Sequence, residues 1–121
     1  MTSRILLIDD DLLLGQLIRA LIAGRKGQLT QVQNGKTGLE MAHAGHYDYI
    51  LVDLMLPQID GLNVLRTLAA RPHSPVRPKL IAISSRRSPE DKHECIAAGA
   101  DQFLDKPVRP QALFDCLDLA P

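Results

Sequence analysis

Five side chains of this sequence could do chemistry in concert: the carboxylates of Asp9, Asp10 and Asp53, the hydroxyl of Ser84 and the ammonium of Lys106. Carboxylates converging on one crevice repel one another and raise each other's pKa unless a cation lies among them. A hard divalent ion answers that need. Mg²⁺ takes oxygen ligands, keeps several waters and commonly bridges protein carboxylates to a phosphate. Asp53 is then placed to act as a nucleophile, attacking phosphorus to form an aspartyl phosphate once metal and a cation neutralise the incoming charge. Lys106 supplies that cation as a flexible point charge, and Ser84 a hydroxyl that donates to a phosphoryl oxygen when one is present.

Each of these residues stands at the end of a strand-like apolar run. Ile5-Leu6-Leu7-Ile8 leads into Asp9, Asp10 and Asp11; Tyr49-Ile50-Leu51-Val52 into Asp53; Leu80-Ile81-Ala82-Ile83 into Ser84 and Ser85; Phe103-Leu104 into Asp105, Lys106 and Pro107. If the strands are parallel, these ends share the edge at which ligand crevices form in open α/β sheets. Helical patterns separate the runs. Leu14, Leu17, Ile18, Leu21 and Ile22 recur at helical spacing with Gly24 as a stop, and Lys36–Ala44 reads as a short helix. Gly61–Ala70 puts Leu62, Leu65, Leu68 and Ala69 on one face, and a fourth helix begins near Pro89 with Ser88 as N-cap and Gly99 as its end. Pro110 opens a last helix carrying Leu113, Phe114 and Leu117.

Among the strands, Gln28–Gln33 is weak and suits a half-exposed edge. Asp48–Asp53 is apolar through its middle, which predicts a central strand buried on both faces. Pro72, Pro75 and Pro78 impose an extended connection. The alternation predicts an α/β fold, a single doubly wound five-stranded parallel sheet, with residues 1–121 as one domain.

Composition agrees with a packed domain: 45% hydrophobic and 23% charged residues, with 14 Lys+Arg balancing 14 Asp+Glu. That balance gives no general field for nucleic acid or a membrane surface. Apolar runs fall short of the roughly 18 residues of a span, and no signal h-region precedes the first strand, so a cytoplasmic address is expected. Cys95 and Cys116 lack metal-ligand spacing and read as packed or idle thiols. His43 and His46 read as surface histidines, and Asp60-Gly61 as a turn and helix start. Taken singly, Asp10 or Asp11 reads as the cap of the first helix.

The acid pair Asp9-Asp10, the stretch Asp53-Leu54-Met55-Leu56-Pro57-Gln58-Ile59-Asp60-Gly61, Ile83-Ser84-Ser85, Ala97-Ala98-Gly99-Ala100-Asp101 and Lys106-Pro107 together resemble the receiver domain of two-component response regulators, in order and over essentially the whole chain. The resemblance implies a flavodoxin-like (βα)5 sheet of strand order 2-1-3-4-5. It implies Asp53 as phosphoacceptor, with Mg²⁺ held by Asp10, Asp53 and the Met55 backbone carbonyl, and by Asp9 largely through water. It further implies Ser84 and Phe103 as the switch pair, and a cis Lys106-Pro107 peptide that aims the lysine inward.

As partners the resemblance implies a histidine kinase or histidine phosphotransfer protein as donor, and an effector protein or output domain reading the surface of the fourth helix, fifth strand and fifth helix. It allows a phosphorylation-dependent dimer. It implies no turnover of an external substrate, while the charge balance and the short apolar runs predict no membrane or direct nucleic-acid contact through this domain. Phe103 lacks the hydroxyl of the Tyr most often found there, so the packing part of the switch is what carries over. Met55 and Arg86, two residues after Asp53 and Ser84, stand where the family positions the hydrolytic water; an apolar Met55 implies slow hydrolysis. An acid-nucleophile phosphatase of the haloacid dehalogenase type would need a second acid where Met55 stands. A receiver that no longer accepts phosphate is the other alternative, opposed by the intact Asp9, Asp10, Asp53, Ser84 and Lys106.

Overall fold

A computed structural model describes residues 2–56, 59–71, 77–85 and 89–121 of the chain. The elements alternate throughout: β1 (Ser3–Ile8), α1 (Leu12–Ile22), β2 (Gly27–Val32), α2 (Gly35–Ala44), β3 (Tyr49–Asp53), α3 (Gly61–Ala70), β4 (Lys79–Ser84), α4 (Pro89–Ala98), β5 (Gln102–Asp105) and α5 (Pro110–Cys116). All strand pairings are parallel and the order is β2-β1-β3-β4-β5, the flavodoxin-like arrangement expected. The β2 strand runs one residue earlier than its polar alternation suggests, and β3 begins at Tyr49, one residue after the expected Asp48, whose carboxylate accepts from Arg4 N at 2.8 Å and whose backbone still bonds to Arg4 O and Lys79 N.

The central strands are apolar on both faces because helices cover both. On one face Leu6, Ile8, Ile50, Val52, Leu80 and Ala82 pack under α2, α3 and α4; on the other Ile5, Leu7, Leu51, Ile81 and Ile83 pack under α1 and α5. Ile5 to Ile8 are wholly buried, and each such side chain is worth about 1.5–3 kcal/mol when taken from water. The β2 strand is half-buried apart from the exposed Gln28, as an edge should be.

Helix starts follow local chemistry. Asp11, not Asp10, caps α1, its side chain accepting from Leu14 N at 3.1 Å, while Asn34 caps α2 and Asp60 caps α3. The expected Ser88 cap of α4, and residues 72–76 of the proline-rich connection, lie outside the described residues. Gly99 ends α4 with φ +114, in the left-handed region glycine alone adopts readily.

Two expectations need correction. Leu17 is 40% exposed, because Leu14, Ile18 and Ile22 already fill the inward stripe of α1 and Leu17 falls to its flank. Leu117 is not helical: α5 stops at Cys116, and the chain turns so that Leu117 and Leu119 bury against the α1–α5 core. There Lys26 N donates to Ala120 O at 2.7 Å.

The start of α3 rests directly on the end of β3. A Cβ on Gly61 would lie 2.4 Å from Asp53 O and 2.6 Å from Leu54 Cα, both backbone atoms that have no rotamer to escape through. Gly61→Ala should therefore cost about 1–3 kcal/mol, the range of core overpacking, measured by urea unfolding; unchanged stability would contradict this contact.

Candidate functional site

The parallel order brings the chemistry-bearing residues to one edge. Register pairs Ile8 with Val52, Asp53 with Ile83 and Ser84 with Asp105, so the residues that follow each strand share one level of the sheet. Each ladder also extends past its strand: Asp9 N donates to Val32 O at 3.0 Å, Leu54 N to Ile83 O at 3.0 Å and Lys106 N to Ser84 O at 2.9 Å.

Asp9, Asp10 and Asp53 each offer a carboxylate oxygen within 4.8 Å of the others. Asp9 is wholly buried and Asp53 is 3% exposed, while Asp10 faces solvent at the rim. Asp9 Oδ1 accepts from Asp11 N at 2.9 Å and Asp53 Oδ1 from Met55 N at 3.0 Å. The Lys106–Pro107 peptide is cis, and Lys106 Nζ stands 3.0 Å from Asp9 Oδ2 and 3.6 Å from Asp53 Oδ2.

Among the described residues, three carboxylates set against this ammonium leave two formal negative charges, which a divalent cation would match. Asp9 Oδ2 takes no well-directed hydrogen bond in spite of its ion pair with Lys106. An all-oxygen cluster with two buried carboxylates, one of them undersatisfied, and a third at the solvent rim fits a hard ion of the Mg²⁺ or Ca²⁺ kind.

Electrostatics record the same deficit. Burial pushes the Asp9 carboxyl up from 3.8 to about 6, against the lowering effects of the Asp11 N–H and Lys106, with Asp53 adding repulsion. Burial alone would pull Lys106 down, but Asp9 first, then Asp53 and Asp11, more than offset it and its pKa is raised. Lys106 therefore stays charged at neutral pH.

The remaining expected residues are placed as follows. Ser84 ends β4, fully buried one register step beyond Asp53. Phe103 lies on β5, half-buried at the margin of the α2–α3–α4 core, with Lys92 Nζ 5.6 Å from its ring centroid. The Met55 side chain is 52% exposed beside the crevice, and Arg86 lies outside the described residues. Asp60 serves as a cap and not as part of the cluster. His43 and His46 are exposed, His46 lying 3.6 Å from Asp48. Cys95 and Cys116 are buried thiols, each with its pKa raised chiefly by burial.

Sequence reading missed two groups. Leu12 and Leu13, 54% and 76% exposed, form with Leu17 an apolar flank directly after the acidic loop; helical periodicity marks inward positions and is silent on an outward leucine. Gln31, read only as a polar position of an edge strand, reaches the acidic loop through its side chain.

A sequence profile of the response regulator receiver domain matches residues 5–118. The cell cycle response regulator CtrA of Brucella ovis is 33% identical over 111 residues, 92% of this chain and 47% of that protein, so the chain spans about half the length of the curated relatives it matches. The receiver domain of a sensor histidine kinase from Pseudomonas aeruginosa, solved with a magnesium ion coordinated in its active-site cleft, superposes with a TM-score of 0.82 at 28% identity, covering 95% of this chain and 93% of that one. A response regulator structure from Chloroflexus aurantiacus shares the fold, with a TM-score of 0.86 at 22% identity over 95% of this chain and 93% of that chain.

Because the folded pKa of Asp9 lies above its unfolded value, the stability this group contributes is fully present below pH 3.8 and lost as pH rises through about 6. In chelator-treated protein, Asp9→Asn should gain stability relative to wild type across that window, read as urea midpoints between pH 4 and 7; a pH-independent difference would contradict the assigned burial cost.

Proposed function

Because the chain belongs to the response regulator receiver family, whose members are phosphoacceptors in two-component signalling, we propose that Asp53 is the residue phosphorylated here, with Mg²⁺ in the crevice and a histidine kinase or histidine phosphotransfer protein as donor. The observation that carries this reading is the convergence of Asp9, Asp10 and Asp53 within 4.8 Å beside Lys106. Asp10, Asp53 and the Met55 carbonyl would hold the ion, and Asp9 would act largely through water. When bound, Mg²⁺ supplies positive charge to the carboxylates and to the phosphoryl oxygens.

The chain's own residues do the rest. The Met55 N–H holds Asp53 Oδ1, leaving Oδ2, on the Lys106 side, as the attacking oxygen. That oxygen bonds to phosphorus as the donor's P–N bond breaks, and the released imidazole takes a proton. Lys106, kept cationic by its acidic neighbours, pairs with the phosphoryl group, and the Ser84 hydroxyl donates to it. Drawing Ser84 inward opens space for Phe103 and changes the α4–β5–α5 surface, which an output domain, effector protein or second phosphorylated copy reads. The exposed Leu12, Leu13 and Leu17 support docking of an apolar helical face of the donor beside the crevice.

On this reading residues 1–121 work as one receiver domain in the cytoplasm, with no turnover of an external substrate. Among the described residues no helix is long and apolar enough to cross a membrane, and a net charge of zero supports protein partners over nucleic acid.

Asp53→Asn should abolish Mg²⁺-dependent labelling by an acyl phosphate donor while the fold persists by circular dichroism; labelling at the wild-type level would overturn the assignment. Asp10→Asn should weaken Mg²⁺ binding by about tenfold or more, and more than Asp9→Asn does, in a calorimetric titration. Equal losses would remove the distinction between direct and water-mediated contact. Ser84→Ala should still accept phosphate yet lose most of the NMR shift change around Phe103; a full wild-type shift would uncouple Ser84 from the switch.

A further inference from the structure

We infer that Gln31 is a positioning residue for the acidic loop, fixing from β2 the backbone on either side of Asp10 so that its carboxylate meets the divalent ion. This rests on the receiver reading and adds to it a residue outside the crevice. Gln31 sits on the edge strand, paired in register with Leu7. Its side chain passes beyond that register, and Nε2 donates to Asp9 O and to Asp11 O, each at 2.9 Å. Both hydrogens of one amide group thus engage the two carbonyls that flank Asp10. The reverse orientation of the amide would set Oε1 against two carbonyl oxygens, so the assignment of nitrogen and oxygen follows from the partners themselves.

The opposite side of the amide explains an anomaly in α1. Gly15 lies inside that helix and is buried, a position where glycine is a poor choice because it gives up the most backbone freedom. A Cβ there would fall 1.9 Å from Gln31 Oε1 and 2.8 Å from Gln31 Cδ. The glycine clears the space the amide occupies. A helix-weakening residue and a long polar side chain on an edge strand account for one another, and what they build together is a clamp on the loop that carries Asp9, Asp10 and Asp11. Other ties hold the same loop at Asp9 N, Asp11 N and Leu14 N, but among the described contacts only Gln31 grips the carbonyls on both sides of Asp10. Groups behind a ligand commonly set metal affinity by orienting it.

Gly15 also supplies the control that separates positioning from mere stabilisation. Gly15→Ala improves helix propensity but displaces the Gln31 amide, so it should weaken the ion site without needing to weaken the fold. The experiment measures Mg²⁺ dissociation constants by NMR amide-shift titration, with thermal midpoints, for wild type, Gln31→Ala, Gly15→Ala and the double variant. Each single change should raise Kd about tenfold, and the double should match a single change instead of the roughly hundredfold product expected of independent sites. Adding Gly15→Ala to Gln31→Ala should raise the thermal midpoint, since the helix gain then meets no clash. Gln31→Met, which keeps length and volume but cannot donate, should weaken Mg²⁺ as Gln31→Ala does and serves if the alanine variant does not fold. Wild-type Mg²⁺ binding with unchanged Kd in the Gln31 variants, or multiplicative losses in the double, would overturn the clamp alone. Absence of Mg²⁺ binding by wild type would overturn the receiver reading and the clamp with it.

Discussion

Two buried carboxylates with a third at their rim, set against a lysine, are the constraint to which the rest of this structure answers. Taking carboxylates out of water disfavours their charged form, and neighbouring acids disfavour it further. The burden falls on Asp9, which is wholly buried and whose carboxyl is raised to about 6 mainly by that burial. Lys106 offsets part of the charge. The remainder is a standing deficit of positive charge, which makes the crevice receptive to a divalent ion and, once neutralised, to a phosphoryl group.

A sheet edge is the place where such a cluster can be held without a dedicated cage. Parallel strands end at one level, and here the ladders continue one residue further, so that the backbone at Asp9, Leu54 and Lys106 is fixed by neighbouring strands before any side chain acts. Gly61 brings the start of α3 onto the Asp53 backbone from outside. The carboxylates thus attach to backbone held by neighbouring strands. In the proposed switch the moving parts would be the β4 end and Phe103, which is half-buried at the margin of the core with Lys92 Nζ 5.6 Å from its ring centroid.

Much of this was legible in the sequence because the signals were redundant. Apolar runs ending in Asp9, Asp53 and Ser84 specified the central strands, the short run before Lys106 marked the edge strand β5, and β1, β3 and β4 are the most buried strands in the structure. What escaped were features that depend on pairs of residues far apart in sequence. Gln31 looks unremarkable singly and Gly15 merely ill-suited to a helix interior, and only their juxtaposition across β2 and α1 points to the proposed clamp. Leu117 followed the helical pattern of Leu113 but left the helix, because burying Leu119 against Gly27 and Ile5 and bonding Ala120 to Lys26 require the chain to turn back. Leu17 kept helical spacing yet faces outward, since a stripe of period 3.6 has flanks that apolarity alone does not rank.

If the charge on Asp9 is what the ion neutralises, binding the ion must displace a proton wherever Asp9 still holds one. Calorimetric Mg²⁺ titrations in buffers of different ionisation enthalpy count that proton directly. With the Asp9 carboxyl at about 6, roughly half a proton should leave per ion at pH 6 and close to none at pH 8. Mg²⁺ binding with no proton release at pH 6 would contradict the account, because the ion would then be satisfying some charge other than the buried one on which the site is built.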